Sequence, residues 1–356
     1  MKARRNILLL AAAALAALFA GSCVKTLGPE DDGWTPLGGD RPVMFQSNIT
    51  EPATKAGLPS GTSFGVFAYY TKTTNWNSAR GSTVPNFMYN EDVTFDGTTY
   101  TYDPIKYWPN TPNEKVSFWA YYPYSADVVL FKANSSPTAF NNNTKNLPDI
   151  QFTVTDGQTD FMISNVAANK TKPSINTPVE LTFNHALSRI SFYVKKVDAA
   201  VPEKYTVKLK SIRLDGIYLT ATHKNTASGS STVGWANWTG ARGSIPTFVP
   251  ASASGYLTLS TSYPADGSPQ AVSMVLPQDL SYEYAMLHVE YTIDFEGLLH
   301  TRTMISNIPL SSVFEDASAL WQKGKEYRVN ISITPDDPIE FSVTWSNWGT
   351  VHNINC

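Results

Sequence analysis

Cysteine is nearly absent from this chain, and the two it has, Cys23 and Cys356, cannot frame a disulfide-stapled fold. Charge is sparse too. Charged residues make up 16% of the sequence and the net charge is −3, which leaves no basic footprint for nucleic acid or for an anionic membrane surface. Only one long apolar run exists, Ile7 to Phe19, and it is too short to span a bilayer comfortably. Histidine occurs at positions 185, 223, 288, 300 and 352 with no H-x-x-x-H or C-x-x-C grouping, so the sequence offers no local metal site. Glycine-rich phosphate loops and spaced-aspartate calcium loops are missing as well, and no cofactor is expected.

What is present begins at the N-terminus. Lys2, Arg4 and Arg5 precede the apolar run, and the pattern reads as a secretory signal over residues 1–22. The run ends in Ala20-Gly21-Ser22-Cys23, three small residues before a cysteine, which resembles the lipobox of bacterial lipoproteins. On that reading cleavage falls before Cys23, whose thiol takes a lipid anchor; ordinary signal cleavage beside an incidental cysteine is the alternative. Losing three bases and no acid leaves 24 basic against 30 acidic residues, a mildly acidic mature chain. At this length, two domains of about 150 residues each are expected, stabilised by burial alone.

Composition favours an all-β fold. Aromatics reach 12%, and 23 prolines and 21 glycines interrupt the chain at intervals that suit short strands and turns. Alternation supports this. Ile190, Phe192 and Val194 point opposite to Ser191, Tyr193 and Lys195, and Tyr205, Val207, Leu209 and Ile212 fall mostly on one side of their segment. Ile339, Phe341, Val343 and Trp345 alternate with Glu340, Ser342 and Thr344. The best short helix is Ser311 to Gln322, with Val313, Leu320 and Trp321 facing the core.

The expected organisation is a signal peptide (1–22), a polar lipidated tether (23–40), an N-terminal domain (41–178) and a C-terminal domain (179–356), with the boundary placed to within about 20 residues. Ala167 to Pro178 reads as a linker or long loop, and Asn225 to Gly234 as a surface loop.

No catalytic constellation survives its context. Gly61-Thr62-Ser63-Phe64-Gly65 matches the nucleophile-elbow pattern, but Pro59-Ser60-Gly61 precedes it and a strand pattern follows, where the elbow needs a strand before and a helix after. His288, Glu290, Thr292 and Asp294 alternate with Leu287, Val289, Tyr291 and Ile293, which describes the solvated face of a strand. The protein is read as a non-enzyme.

The chain resembles the fimbrillin-like proteins of Bacteroidales, the Mfa-like and FimA-like lipoproteins of type V pili. The resemblance rests on the order of segments: Thr62 to Tyr70, Tyr107-Trp108-Pro109, Val116 to Pro123, Leu181 to Ile190, Val275-Leu276-Pro277-Gln278, and Trp321 to Tyr327. It implies two tandem transthyretin-like, Greek-key β-sandwich domains, carried to the outer membrane and cell surface as a stalk, anchor or tip of a fimbrium. Its partners would be other fimbrial subunits joined by strand exchange, and the membrane through lipid on Cys23. The resemblance also implies that a stalk subunit loses its first strand to a trypsin-like protease. Here Val43, Phe45, Ser47 and Ile49 alternate with Met44, Gln46 and Asn48 as that first strand. Arg41 is followed by Pro42, a poor bond for such a protease, so cleavage is expected between Lys55 and Ala56. Ile339, Phe341, Val343 and Trp345 form the most suitable donor for the vacated groove. Two alternatives stay open: a permanent first strand in an uncleaved anchor or tip, and a stand-alone surface lipoprotein that binds a glycan or host protein through loops.

Overall fold

Short strands succeed one another along nearly the whole structure, a computed structural model that describes residues 41–50, 57–135, 138–198, 204–226, 233–252, 254–297, 301–335 and 338–348. The first are β1 (Phe45–Ile49), β2 (Thr62–Lys72), β3 (Met88–Phe95), β4 (Tyr100–Thr101) and β5 (Lys115–Tyr122). Next come β6 (Val129–Phe131), β7 (Asp149–Thr153), β8 (Met162–Ser164), β9 (Ala167–Lys170) and β10 (Val179–His185). Then follow β11 (Ser188–Lys196), β12 (Tyr205–Ile217), β13 (Thr220–Lys224), β14 (Gly234–Thr239), β15 (Gly243–Phe248) and β16 (Leu257–Thr258). The last are β17 (Ala271–Val275), β18 (Met286–Phe295), β19 (Thr301–Pro309), β20 (Lys325–Ile333) and β21 (Glu340–Asn347). Helix among the described residues is limited to α1 (Trp76–Ala79), α2 (Leu310–Val313) and a 3-10 turn at Glu315–Ala317. The fold is all-β, as composition and alternation predict.

Hydrogen bonding groups the strands into four sheets. The largest has the order β1-β10-β8-β5-β2-β3-β4, with β9 also on β5. A second runs β17-β11-β20-β21, a third β15-β12-β18-β19 with β16 on β12, and a fourth β14-β13-β7-β6. Strands from both sides of residue 178 share sheets: β10 lies in the first, and β13 pairs with β7 in the fourth. Composition marks breaks in chain character, whereas sheet membership is decided by which backbone edges meet, so this mixing left no trace in the sequence.

Burial follows the alternation closely. β2 is apolar on both faces and separates two cores, with Phe64, Val66 and Ala68 on one side and Phe67 and Tyr69 on the other. Each fully buried side chain of this size contributes about 1.5–3 kcal/mol. In β12, Tyr205, Val207, Leu209 and Ile212 are all buried. The three-residue step from Leu209 to Ile212 keeps one face because the register with β18 shifts between Leu209 and Ser211, a bulge that absorbs the extra residue. In β18, Leu287, Val289, Tyr291 and Ile293 are buried, and Glu290 and Asp294 on the other face meet Lys210 and Lys208 in solvent-screened pairs, but Thr292 between them is buried and departs from the solvated face expected there.

Two further expectations need correction. Ala167 to Lys170 is not loop but β9, because an edge strand needs only backbone partners, here on β5. The helix expected over Ser311 to Gln322 shrinks to one turn of α2 and the 3-10 turn; Val313 and Trp321 are buried, yet Leu320 is exposed. β5 stops at Tyr122, before Pro123, while Tyr107 forms an isolated bridge to Pro42. Trp108, next to Pro109, and Tyr121, separated from Pro123 by one residue, are core residues. Ser63 lies at the start of β2, after a turn at Gly61 with φ 78°, so a strand follows the elbow-like pattern.

Candidate assembly strands

The expected first strand is realised as β1, at one edge of the eight-stranded sheet. Alternation fixes its faces. Val43, Phe45 and Ser47 are buried, while Met44 and Gln46 point outward. Asn48 departs from the pattern, being buried on the outer row, because its amide donates to the Glu180 carboxylate on β10. Phe45 is the plug. Its ring centroid lies 5.6 Å from Tyr102, 5.7 Å from Phe118 and 6.3 Å from Phe64, all in edge-to-face contact.

Polar contacts tie the strand at both ends. The Val43 N–H donates to the Lys106 carbonyl at 2.8 Å and the Trp108 N–H to the Arg41 carbonyl at 2.9 Å. The Tyr102 hydroxyl donates to the Val43 carbonyl at 2.8 Å, and burial pushes that phenol up, so it stays a donor at physiological pH. Ser47 accepts from the Leu58 N–H at 3.1 Å and shares a 2.8 Å bond with the Tyr100 hydroxyl. Among the described residues β1 pairs only with β10, in parallel, from Phe45 opposite Val179 to Ile49 opposite Phe183.

The expected donor segment is also an edge strand. β21 closes the β17-β11-β20-β21 sheet and runs antiparallel to β20. Val343 is buried, Ile339 and Phe341 pack partly against the core, and Trp345 is 44% exposed despite its place in the alternation. Cys23, Lys55 and Ala56 lie outside the described residues.

Sequence reasoning missed a cleft of about 600 Å³ that adjoins both strands. It is rimmed by Thr50, just past β1, and by Asn347 and Trp348 at the end of β21, and it contains His185, His223 and Lys323. The two histidines come from β10 and β13, in different sheets, so no spacing in the chain could have joined them. No group of three or more His, Cys, Asp or Glu able to hold a metal occurs among the described residues. No helix among them is long and apolar enough to cross a membrane.

Comparison with known proteins decides the family, because a match to the Fimbrillin-like family covers residues 53–348. The chain belongs to that family. This fimbrillin-like chain is 31% identical over 186 residues to the fimbrium subunit Fim1C of Phocaeicola vulgatus, an alignment covering 50% of the chain and 48% of Fim1C. It thus spans about half the length of that relative. The crystal structure of a fimbrial protein from Bacteroides vulgatus shares its fold, with a TM-score of 0.58 at 20% identity over 86% of this chain and 99% of that one.

Proposed function

We propose that this chain is a structural or adhesive subunit of a fimbrium, joined to its neighbours by strand exchange at the position of β1. One observation carries the reading: β1 is an edge strand with a single strand neighbour, yet its inner face plugs the Phe64–Phe118 core through Phe45. Removing it would leave an apolar groove bounded by the open edge of β10, which an extended segment of another subunit could fill, with backbone bonds giving strength and alternate side chains giving register. Ile339 to Trp345 remains the preferred donor, since β21 is itself an edge strand and one face of it is apolar. The family match and the Fim1C relative support the same reading. Two sandwich domains are kept as part of it, with β10 assigned to the first.

The test is limited proteolysis. Trypsin applied to the native precursor should cut between Lys55 and Ala56, and the product, mixed with partner subunits, should form ladders on a gel. A Lys55–Ala56 bond that resists cutting, or a cut product that stays monomeric beside its partners, would overturn strand exchange for this chain and leave a permanent β1 in an anchor, a tip or a stand-alone binder.

Anchoring is a separate part of the proposal. Lipid on Cys23 would hold the chain at the outer membrane before any cleavage. Cys23→Ala is expected to abolish incorporation of labelled palmitate and to move the protein out of the membrane fraction; undiminished labelling of the variant would reject the lipobox.

A further inference from the structure

Strand exchange at β1 leaves open which strand the groove accepts, and the seat of β1 answers residue by residue. Its inner row makes three demands. Val43 is buried, and its carbonyl accepts from the Tyr102 hydroxyl. Phe45 fills the space between the Phe64, Tyr102 and Phe118 rings, at centroid distances of 5.6 to 6.3 Å. Ser47 is the polar member of the row and is only 2% exposed. Its Oγ accepts from the Leu58 N–H at 3.1 Å and shares a 2.8 Å bond with the Tyr100 hydroxyl.

The Leu58 N–H sets the third demand. Leu58 is 3% exposed, and among the described residues its N–H has no partner besides Ser47. Because Leu58 follows Lys55 in the chain, a cut after Lys55 takes the acceptor away with β1 and leaves the donor on the body. A replacement strand that sets carbon against this buried N–H leaves it unsatisfied, which costs more than the bond itself contributes. A serine or threonine avoids that cost. The aromatic seat is equally particular, since a smaller side chain leaves a void between the rings.

No register of the C-terminal segment, laid parallel to β10 as β1 is, meets all of these demands. With Phe341 in the place of Phe45, Ile339 replaces Val43 but Val343 replaces Ser47. With Trp345 there, Val343 suits the apolar seat, while an indole and the Asn347 amide must enter spaces packed around the smaller Phe45 and Ser47. With Trp348 there, Ser346 falls in the apolar seat. We propose that the groove selects a strand reading apolar-x-aromatic-x-Ser/Thr and so takes its occupant from a different subunit, not from a second copy of this chain. Selection of this kind rests on the strand-exchange reading; β21 is preferred among this chain's own edge strands, and a strand that carries the hydroxyl outranks it.

The intact chain and the cut chain each supply a test. In the full chain, Ser47→Val should lower the urea midpoint, and Ser47→Thr should hold it near the native value. The trypsin-cut chain, stripped of its first strand in urea and returned to buffer, is then titrated with labelled peptides and followed by fluorescence anisotropy. The peptide of residues 42–50 should bind, and its Ser47→Val form should bind about ten-fold more weakly. The peptide of residues 338–346 should also bind more weakly than that of residues 42–50, and its Val343→Ser form should recover much of the difference. A Ser47→Val chain with an unmoved midpoint, or peptide affinities indifferent to the hydroxyl, overturns the selection and leaves strand exchange standing. If no peptide binds, that of residues 42–50 included, strand exchange at this groove fails and the selection fails with it.

Discussion

Replacing Trp321 by alanine should lower the unfolding free energy by about 3–5 kcal/mol, the range for deleting a buried Trp side chain. Trp321 is 1% exposed and meets the Phe314 ring edge-on at 5.5 Å, and Phe314 in turn meets Tyr327 at 5.7 Å. Truncation would leave a cavity among aromatic rings that cannot collapse without moving β20. Its backbone N–H donates to the Gln278 carbonyl at 3.0 Å, a bond that alanine keeps, so the loss belongs to the side chain. The indole Nε1 is buried without a partner, which already costs the native state something and places the effect toward the lower end of the range. Trp321→Phe separates the two contributions, because it retains a ring and removes the orphaned N–H; its cost should be well below that of alanine. Urea midpoints at constant slope measure both. A midpoint unmoved by Trp321→Ala would mean that this ring does not hold the core.

The other large effect is on acid stability. His223 is 1% exposed and its ring meets Trp235 edge-on at 5.2 Å. Burial first, then the Lys323 ammonium, lower its pKa from 6.5 to about 4, against a smaller opposing contribution from the Asn225 bond. The folded state therefore stays neutral while the unfolded chain takes up a proton near pH 6.5. Stability from this residue is complete above that value and is lost as pH falls toward 4, where the folded form also protonates. The shift corresponds to about 3 kcal/mol. Denaturation curves from pH 7.5 to 4 should fall more steeply for the native chain than for His223→Gln, in which every other titrating group is unchanged. Parallel profiles for the two proteins would remove His223 as the source.

What the sequence disclosed and what it concealed divide along a physical line. Alternation marked β1, β11, β18 and β21 as strands, but it did not report burial on the second face: Asn48, Ser191, Tyr193 and Thr292 are buried although they fall on the row that alternation leaves to solvent. Even the Leu209 to Ile212 irregularity was visible as a step of three, though only the pairing with β18 explains it as a bulge. Pairing itself was hidden, because backbone groups are the same at every residue: β9, with its polar Asn169 and Lys170, could not be told from a loop, and β10 could not be assigned to the first sheet. The exposure of Trp345 and Leu320 depends on what lies opposite them, which periodicity does not report. The cleft was hidden most completely, since His185 and His223 acquire meaning only when two sheets bring them to one cavity.

The parallel pairing of β1 with β10 also bears on how the protein is made. A hairpin closes as soon as its second strand emerges, but Phe45 must wait for Val179 and Ile49 for Phe183, about 130 residues later. During synthesis the β1–β10 ladder thus stays open until half the chain has followed, although the ring partners of Phe45 (Phe64, Tyr102 and Phe118) all emerge earlier. For that interval another extended segment can compete for the edge of β10, against which the chain's own β1 has the advantage of tethering and of the contacts that Phe45 and Ser47 make.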